Sequence, residues 1–115
     1  MVTRRERQMH SVRAFMRGGK KQVRSTELSS SLPQSVRRFA THTLEPGASI
    51  GYHVHRGETE VVYILDGMGT VQDDDRTCDI FAGDSFITPS GHGHALENTG
   101  DRDLVLLSVI IRDPV

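Results

Sequence analysis

Residues Gly51 to Glu60 read GYHVHRGETE. His53 and His55 stand two apart, and Glu60 follows five residues after the second. On a β-strand, residues two apart face the same side, with Cα atoms roughly 6.5 Å apart. Two imidazoles so placed can converge on one ion at metal–nitrogen distances of about 2.0–2.2 Å. On an unbroken strand Glu60 would face away from His53. Arg56-Gly57 breaks the strand, and a turn or bulge there resets the parity and brings Glu60 inward. The competing explanation is a polar strand with incidental histidines.

A second stretch, PSGHGHALEN from Pro89 to Asn98, carries His92 and His94, again two apart. They follow a Pro-x-Gly turn, so strand alternation need not hold until after Gly93. Spacing alone does not choose between them. Histidines and a carboxylate, each beside a glycine-containing turn, weigh against coincidence.

The surroundings are those of a β protein. From Val36 onward, short segments rich in Val, Ile, Thr, Tyr and Phe alternate with turn signals. These segments are VRRFATHTL, SIGYHVH, TEVVYIL, GTVQ, RTCDIF, SFITP, HALEN and DLVLLSVIIR. Asp66-Gly67 reads as a hairpin dipeptide. About eight strands with no helical period predict an all-β sandwich or barrel, mostly antiparallel. The last segment is apolar on both faces, which predicts cover on both, by the interior and by a second sheet or subunit.

The two blocks together resemble the cupin superfamily. Its first motif, G(x)5HxH(x)3–4E(x)6G, is filled by Gly47, His53, His55, Glu60 and Gly67. Its second, G(x)5PxGxxH(x)3N, is filled by Gly83, Pro89, Gly91, His94 and Asn98. The resemblance implies a double-stranded β-helix, a jelly-roll barrel, over residues 36–115. It also implies one divalent transition metal (manganese, iron, nickel, cobalt or zinc) held by His53, His55, Glu60 and His94, with His92 in a variable gap. Gly67 and Gly83 allow the positive φ of tight turns, and Asn98 ties down a loop backbone.

Three neutral imidazoles and one carboxylate leave a divalent ion with a site charge of about +1 and open positions for an anionic ligand. The expected function is that of a metal-dependent enzyme, dioxygenase-, decarboxylase- or isomerase-like, acting on a small anionic or vicinal-oxygen molecule. The alternative is a binding or sensing module without turnover. The absence of a recognisable mobile acid loop argues mildly against full decarboxylase activity. Val62, Ile64 and Leu96 are expected to line the barrel. Tyr52, Met68 and Cys78 are expected to pack, and Glu58 to be a loop residue, with a supporting carboxylate as the alternative.

The chain has 115 residues, enough for one core. No apolar run approaches the roughly 18 residues of a membrane span, and no secretory signal is apparent. Cys78 is the only cysteine, which excludes an intrachain disulfide and a multi-cysteine zinc site and fits a reducing, cytoplasmic setting. Charge is uneven. Residues 1–38 carry ten Lys/Arg against two acidic residues, +8, whereas residues 39–115 carry four against thirteen, −9. Residues 1–35 read as a basic, partly ordered arm with one short strand around Lys21–Leu28. The arm is expected to dock on an acidic body, across a homodimer, rather than on nucleic acid, for which it has no signature.

Overall fold

The computed structural model describes residues 1–114. Ten strands run in order: β1 (Met9–Ala14), β2 (Gln22–Glu27), β3 (Val36–Leu44), β4 (Ser49–Val54), β5 (Glu58–Asp66), β6 (Met68–Asp73), β7 (Arg76–Phe81), β8 (Ser85–Thr88), β9 (Gly93–Glu97) and β10 (Leu104–Arg112). They form two antiparallel sheets, ordered β1-β2-β3-β10-β5-β8 and β4-β9-β6-β7. The sheets face each other as a double-stranded β-helix without closing into one hydrogen-bonded ring.

Alternation explains which face is buried. Ala40, His42 and Leu44 of β3, Leu104, Leu106, Ser108 and Ile110 of β10, and Glu60, Val62 and Ile64 of β5 point inward and are buried. Ile50, Val71, Ile80 and Leu96 meet them from the four-stranded sheet, with Phe86 packed alongside. The expected lining residues Val62, Ile64 and Leu96 all lie in this core.

The eight expected segments become β3 to β10. The Asp66-Gly67 hairpin does not form. β5 and β6 lie in different sheets, so this dipeptide is a corner at which the chain crosses between them. A Cβ at Gly67 would meet Asp103 O at 2.5 Å, so only glycine lets the corner lie against the start of β10. The hairpin falls instead at the acidic run, where β6 pairs with β7 and Asp74 takes φ 52°. Asn98 is fully buried and donates to Leu44 O and Arg102 O, both at 2.8 Å, tying two loops together. Cys78 is exposed and Met68 partly so, so neither packs as expected. β10 is covered on one face only: Val105, Leu107 and Val109 are half-buried on the other, and Ile111 is exposed.

The basic arm is built into the larger sheet. The strand expected around Lys21–Leu28 runs Gln22–Glu27 and pairs with β3, and β1, which the sequence did not signal, pairs with β2. Met16 and Val23 are buried in the core, each worth about 1.5–3 kcal/mol. The arm's ion pairs, Lys20–Glu97 at 3.3 Å and Arg24–Asp103 at 3.0 Å, are exposed and worth at most about 1 kcal/mol each. Apolar burial and ladder hydrogen bonds therefore hold the arm, on its own chain.

One buried polar group couples this fold to pH. His42 is 2% exposed. Its Nε2 lies 3.3 Å from Arg38 Nη1. Arginine can only donate, so Nε2 accepts, and Nδ1–H donates to Ser25 Oγ at 2.6 Å. Burial and the Arg38 charge push the His42 pKa down to about 4, against a weaker pull from Glu60. The unfolded chain titrates near 6.5. The resulting stability is fully present above pH 6.5 and is lost as pH falls through about 4, by up to about 3 kcal/mol. Denaturant melts should therefore show a smaller stability loss between pH 7 and pH 4.5 for His42→Gln than for wild type; parallel losses would dismiss His42 as a contributor.

Candidate metal centre

His53 and His94 are direct cross-strand neighbours on β4 and β9, which places their side chains together over the interior. His55 follows β4 immediately, as the chain leaves one sheet, and Glu60 sits inward on β5 of the other. The parity change read from Gly57 is thus a crossing between sheets, with Gly57 at φ 72°. One donor atom from each of His53, His55, Glu60 and His94 lies within 4.8 Å of all the others. The three imidazole centroids are 4.7 to 5.0 Å apart.

Each ring is held by the nitrogen that faces away from this centre. His53 Nδ1–H donates to Gly51 O at 2.8 Å, His55 Nδ1–H to Glu58 Oε2 at 2.8 Å, and His94 Nδ1–H to Thr88 Oγ1 at 2.6 Å. All three Nε2 atoms are left as donors toward one point, the arrangement by which proteins orient metal-binding histidines. Ser108 Oγ donates to Glu60 Oε2 at 2.5 Å, leaving Oε1 for the centre. Glu58 is in turn gripped by Arg37 through Nε at 2.7 Å and Nη2 at 2.8 Å. Glu58, expected in a loop with a supporting carboxylate as the alternative, begins β5 and takes the supporting place, through its contact with His55. Only its position two residues before Glu60 hints at that place in the sequence.

The spacing of the donors fits an ion. Glu60 Oε1 is 2.8 Å from His55 Nε2 and 3.1 Å from His94 Nε2, and the two Nε2 atoms are 3.3 Å apart. Ligands at right angles about an ion at about 2.1 Å stand about 3.0 Å apart. The electrostatics agree. Burial would raise the Glu60 pKa, but the adjoining His55 and His94 imidazoles and the Ser108 hydroxyl overcome it and hold the carboxyl well below the usual range. The hydrogen bond to Glu60 raises His55, against burial and with help from Glu58. Burial lowers His53, opposed by Gly51 O and aided by the charges of His94, Arg17 and His55. The centre thus holds a fixed negative charge that calls for a cation.

His92 stands elsewhere. Its Nδ1 pairs with Asp74 Oδ2 at 2.6 Å on the surface, and only its carbonyl serves the site, accepting from His55 N at 3.0 Å. Tyr52 is half-exposed and lies over Gly93, where a Cβ would meet its hydroxyl at 2.3 Å.

A cavity of about 50 Å³ opens on the donors. Its wall is apolar at Met16, Ile50, Val62, Phe86, Leu96 and Leu106, and cationic at Arg13, Arg17, Arg37 and Arg38. The arm supplies two of those arginines, a role that its disordered-looking sequence did not announce.

Comparisons with known proteins agree with this architecture. The family model described as "Cupin domain" matches residues 40–110. An oxalate-binding protein of Thermotoga maritima is 46% identical over 98 residues, 84% of this chain and 81% of that protein. The crystal structure of a predicted oxalate decarboxylase from Thermotoga maritima superposes with TM-score 0.91 at 42% identity, covering 97% of this chain and 99% of that one. A cupin superfamily protein from Desulfitobacterium hafniense superposes with TM-score 0.67 at 25% identity, over 80% of this chain and 79% of that one.

Metal analysis of untagged protein checks the donor set. His94→Ala should lose the stoichiometric ion while staying folded, and His92→Ala should keep it. Glu58→Gln should weaken metal affinity by about 10- to 100-fold, the cost of losing a histidine's outer partner. Retention of the ion by His94→Ala, or its loss from His92→Ala, would reverse the assignment.

Proposed function

The chain belongs to the cupin family, and we propose that it binds a small dicarboxylate of the oxalate class at a divalent transition metal held by His53, His55, Glu60 and His94. The observation that carries this is the pairing of a candidate metal centre with a cationic, one-ended cavity. An oxalate-binding relative at 46% identity supports the same ligand class. The ion would supply Lewis-acid polarisation of a carboxylate. The chain's own part is to orient: Glu58, Thr88 and Gly51 O fix the rings, Ser108 fixes Glu60, and the apolar wall excludes water from the ligand's flanks. A cavity of this size admits one small molecule and no polymer.

Turnover is the second reading, favoured by the positions that four protein donors leave open on a six-coordinate ion. Oxalate decarboxylation converts oxalate and a proton to formate and carbon dioxide, so a proton must reach carbon. Among the described lining residues, the groups that are not donors to the centre and can hold a proton are the arginines and His42, and His42 is tied to Ser25 and Arg38. That favours binding without efficient decarboxylation. Calorimetry of oxalate against metal-loaded and metal-stripped protein, with formate followed by NMR, tests both. Binding only with metal and no formate is expected; formate release would establish an enzyme, and metal-independent binding would refute the metal as the ligand's anchor.

The outer face of the six-stranded sheet supports a homodimer. Ile87, Val61, Val109 and Phe39 form one rung across β8, β5, β10 and β3, and Ile87, Tyr63, Leu65 and Ile111 are exposed on it. An apolar face of this extent is costly in water. A free, exposed thiol at Cys78 supports a reducing, cytoplasmic setting. Sedimentation should give a dimer for wild type and a shift toward monomer for Ile87→Glu; a monomeric wild type at micromolar concentration would rule the dimer out.

A further inference from the structure

We propose that the N-terminal arm reads the charge of the ligand's far end: Arg17, assisted by Arg13, selects a small dianion over a monocarboxylate whose single carboxylate is held by the metal. This rests on the dicarboxylate reading above and adds the element that discriminates.

Of the ten cations in residues 1–38, Arg4, Arg5, Arg7 and Lys21 lie outside the cavity lining, and Lys21 donates to Pro46 O. Lys20, Arg24 and, at the start of β3, Arg37 are engaged by Glu97, Asp103 and Glu58. Among the described residues, Arg13, Arg17 and Arg38 take part in no ion pair, and these three line the cavity together with the metal donors. Arg38 sits on one inward rung with Ile110 and Glu60, so its Cα is two strand spacings, about 9.6 Å, from that of Glu60. It anchors the inner wall beside His42. Arg13 and Arg17 are exposed and stand at the mouth.

Arg17 is not a passing surface residue. It takes φ 55°, two residues after Phe15 at φ 54°, a left-handed conformation that is strained for a side-chain-bearing residue. Such strain persists only where the surroundings enforce it, and it gathers at ligand-binding elements. Here the enforcement is visible. Gly18 N donates to Phe15 O at 2.9 Å and Phe15 N to Lys21 O at 2.8 Å. Ser49 N donates to Lys20 O at 3.0 Å, and Lys20 N to Ser49 Oγ at 2.8 Å. A Cβ on Gly51 would meet Arg17 O at 2.1 Å, and one on Gly19 would meet Ser49 O at 2.0 Å. Two glycines thus let the turn press backbone to backbone on β4. Gly51 is also the residue whose carbonyl orients His53. The turn that bears Arg17 thus packs directly on the strand that bears His53.

The charge balance then favours a dianion. A divalent ion with Glu60 leaves about +1 at the inner end, and three unpaired guanidiniums surround the path to it. A monocarboxylate satisfies the inner end alone. A second carboxylate reaches the guanidinium forks, whose planar donors match it in a bidentate manner.

Metal-loaded full-length protein, titrated calorimetrically with oxalate, malonate and acetate at fixed ionic strength, tests this. Arg17→Gln should weaken the tighter-binding dicarboxylate about tenfold or more while changing acetate by no more than about threefold, so the dicarboxylate-to-acetate ratio collapses. Arg13→Gln, placed on a strand rather than in the strained turn, should move the ratio the same way by less. Metal content and the unliganded melting temperature confirm that each variant is folded and loaded. If wild type binds the dicarboxylate and neither variant changes the ratio, or both lose acetate equally, the arm's role is overturned and the parent reading stands. A loaded wild type that binds no dicarboxylate overturns both.

Discussion

A carboxylate buried among three imidazoles is the constraint around which this molecule is organised. Burial of Glu60 would by itself drive its carboxyl toward the neutral form. Ser108 opposes that by donating a hydrogen bond to it, and the His55 and His94 Nε2 atoms lie 2.8 and 3.1 Å from its other oxygen. The imidazole protons needed elsewhere are fixed on Nδ1 by a backbone carbonyl, a threonine and a second carboxylate. The result is a carboxylate facing convergent nitrogen donors, an arrangement that could hold a cation between them.

Neither sheet could build that centre alone. His53 and His94 come from neighbouring strands of the smaller sheet, Glu60 and its support Ser108 from the larger one, and His55 from the crossing between them. The donor spacing therefore reports how far apart the sheets are held, which the apolar core sets. Leu104, Leu106, Ile64 and Leu96 do for the metal centre what a rigid frame does for a lens. Core residues far from the chemistry thereby bear on ligand geometry.

The arm shows the same economy in reverse. Its composition is that of a solvated tail, yet Met16 and Val23 are core residues and its strands extend the larger sheet. Once anchored by apolar burial, it can place arginines at the cavity mouth without forming ion pairs there. Electrostatics therefore shape what the cavity attracts, while burial decides where the arm lies.

The fold and the clustering of His53, His55, Glu60 and His94 were legible in the sequence because both are written in short-range spacing. Strand segments show as alternation between turn signals, and the donors show as fixed intervals around Gly47, Gly67, Gly83 and Asn98, the pattern shared with cupins. What the sequence could not carry were relations between residues distant along the chain. Asp66-Gly67 has the local chemistry of a hairpin, and only contact with Asp103 and Leu104 makes it a corner. Glu58 looks like any loop carboxylate until Arg37, 21 residues earlier, folds beside it. Strand β1 has no apolar period to betray it, because its face is exposed and its partner β2 supplies the buried side chain. Arg17 acquires its place from the close approach of Gly19 and Gly51. Local pattern therefore determined the elements and the donor set. Tertiary packing decided which carboxylate supports which histidine and which arginines line the cavity, because those outcomes depend on which sheets meet and how closely their backbones approach.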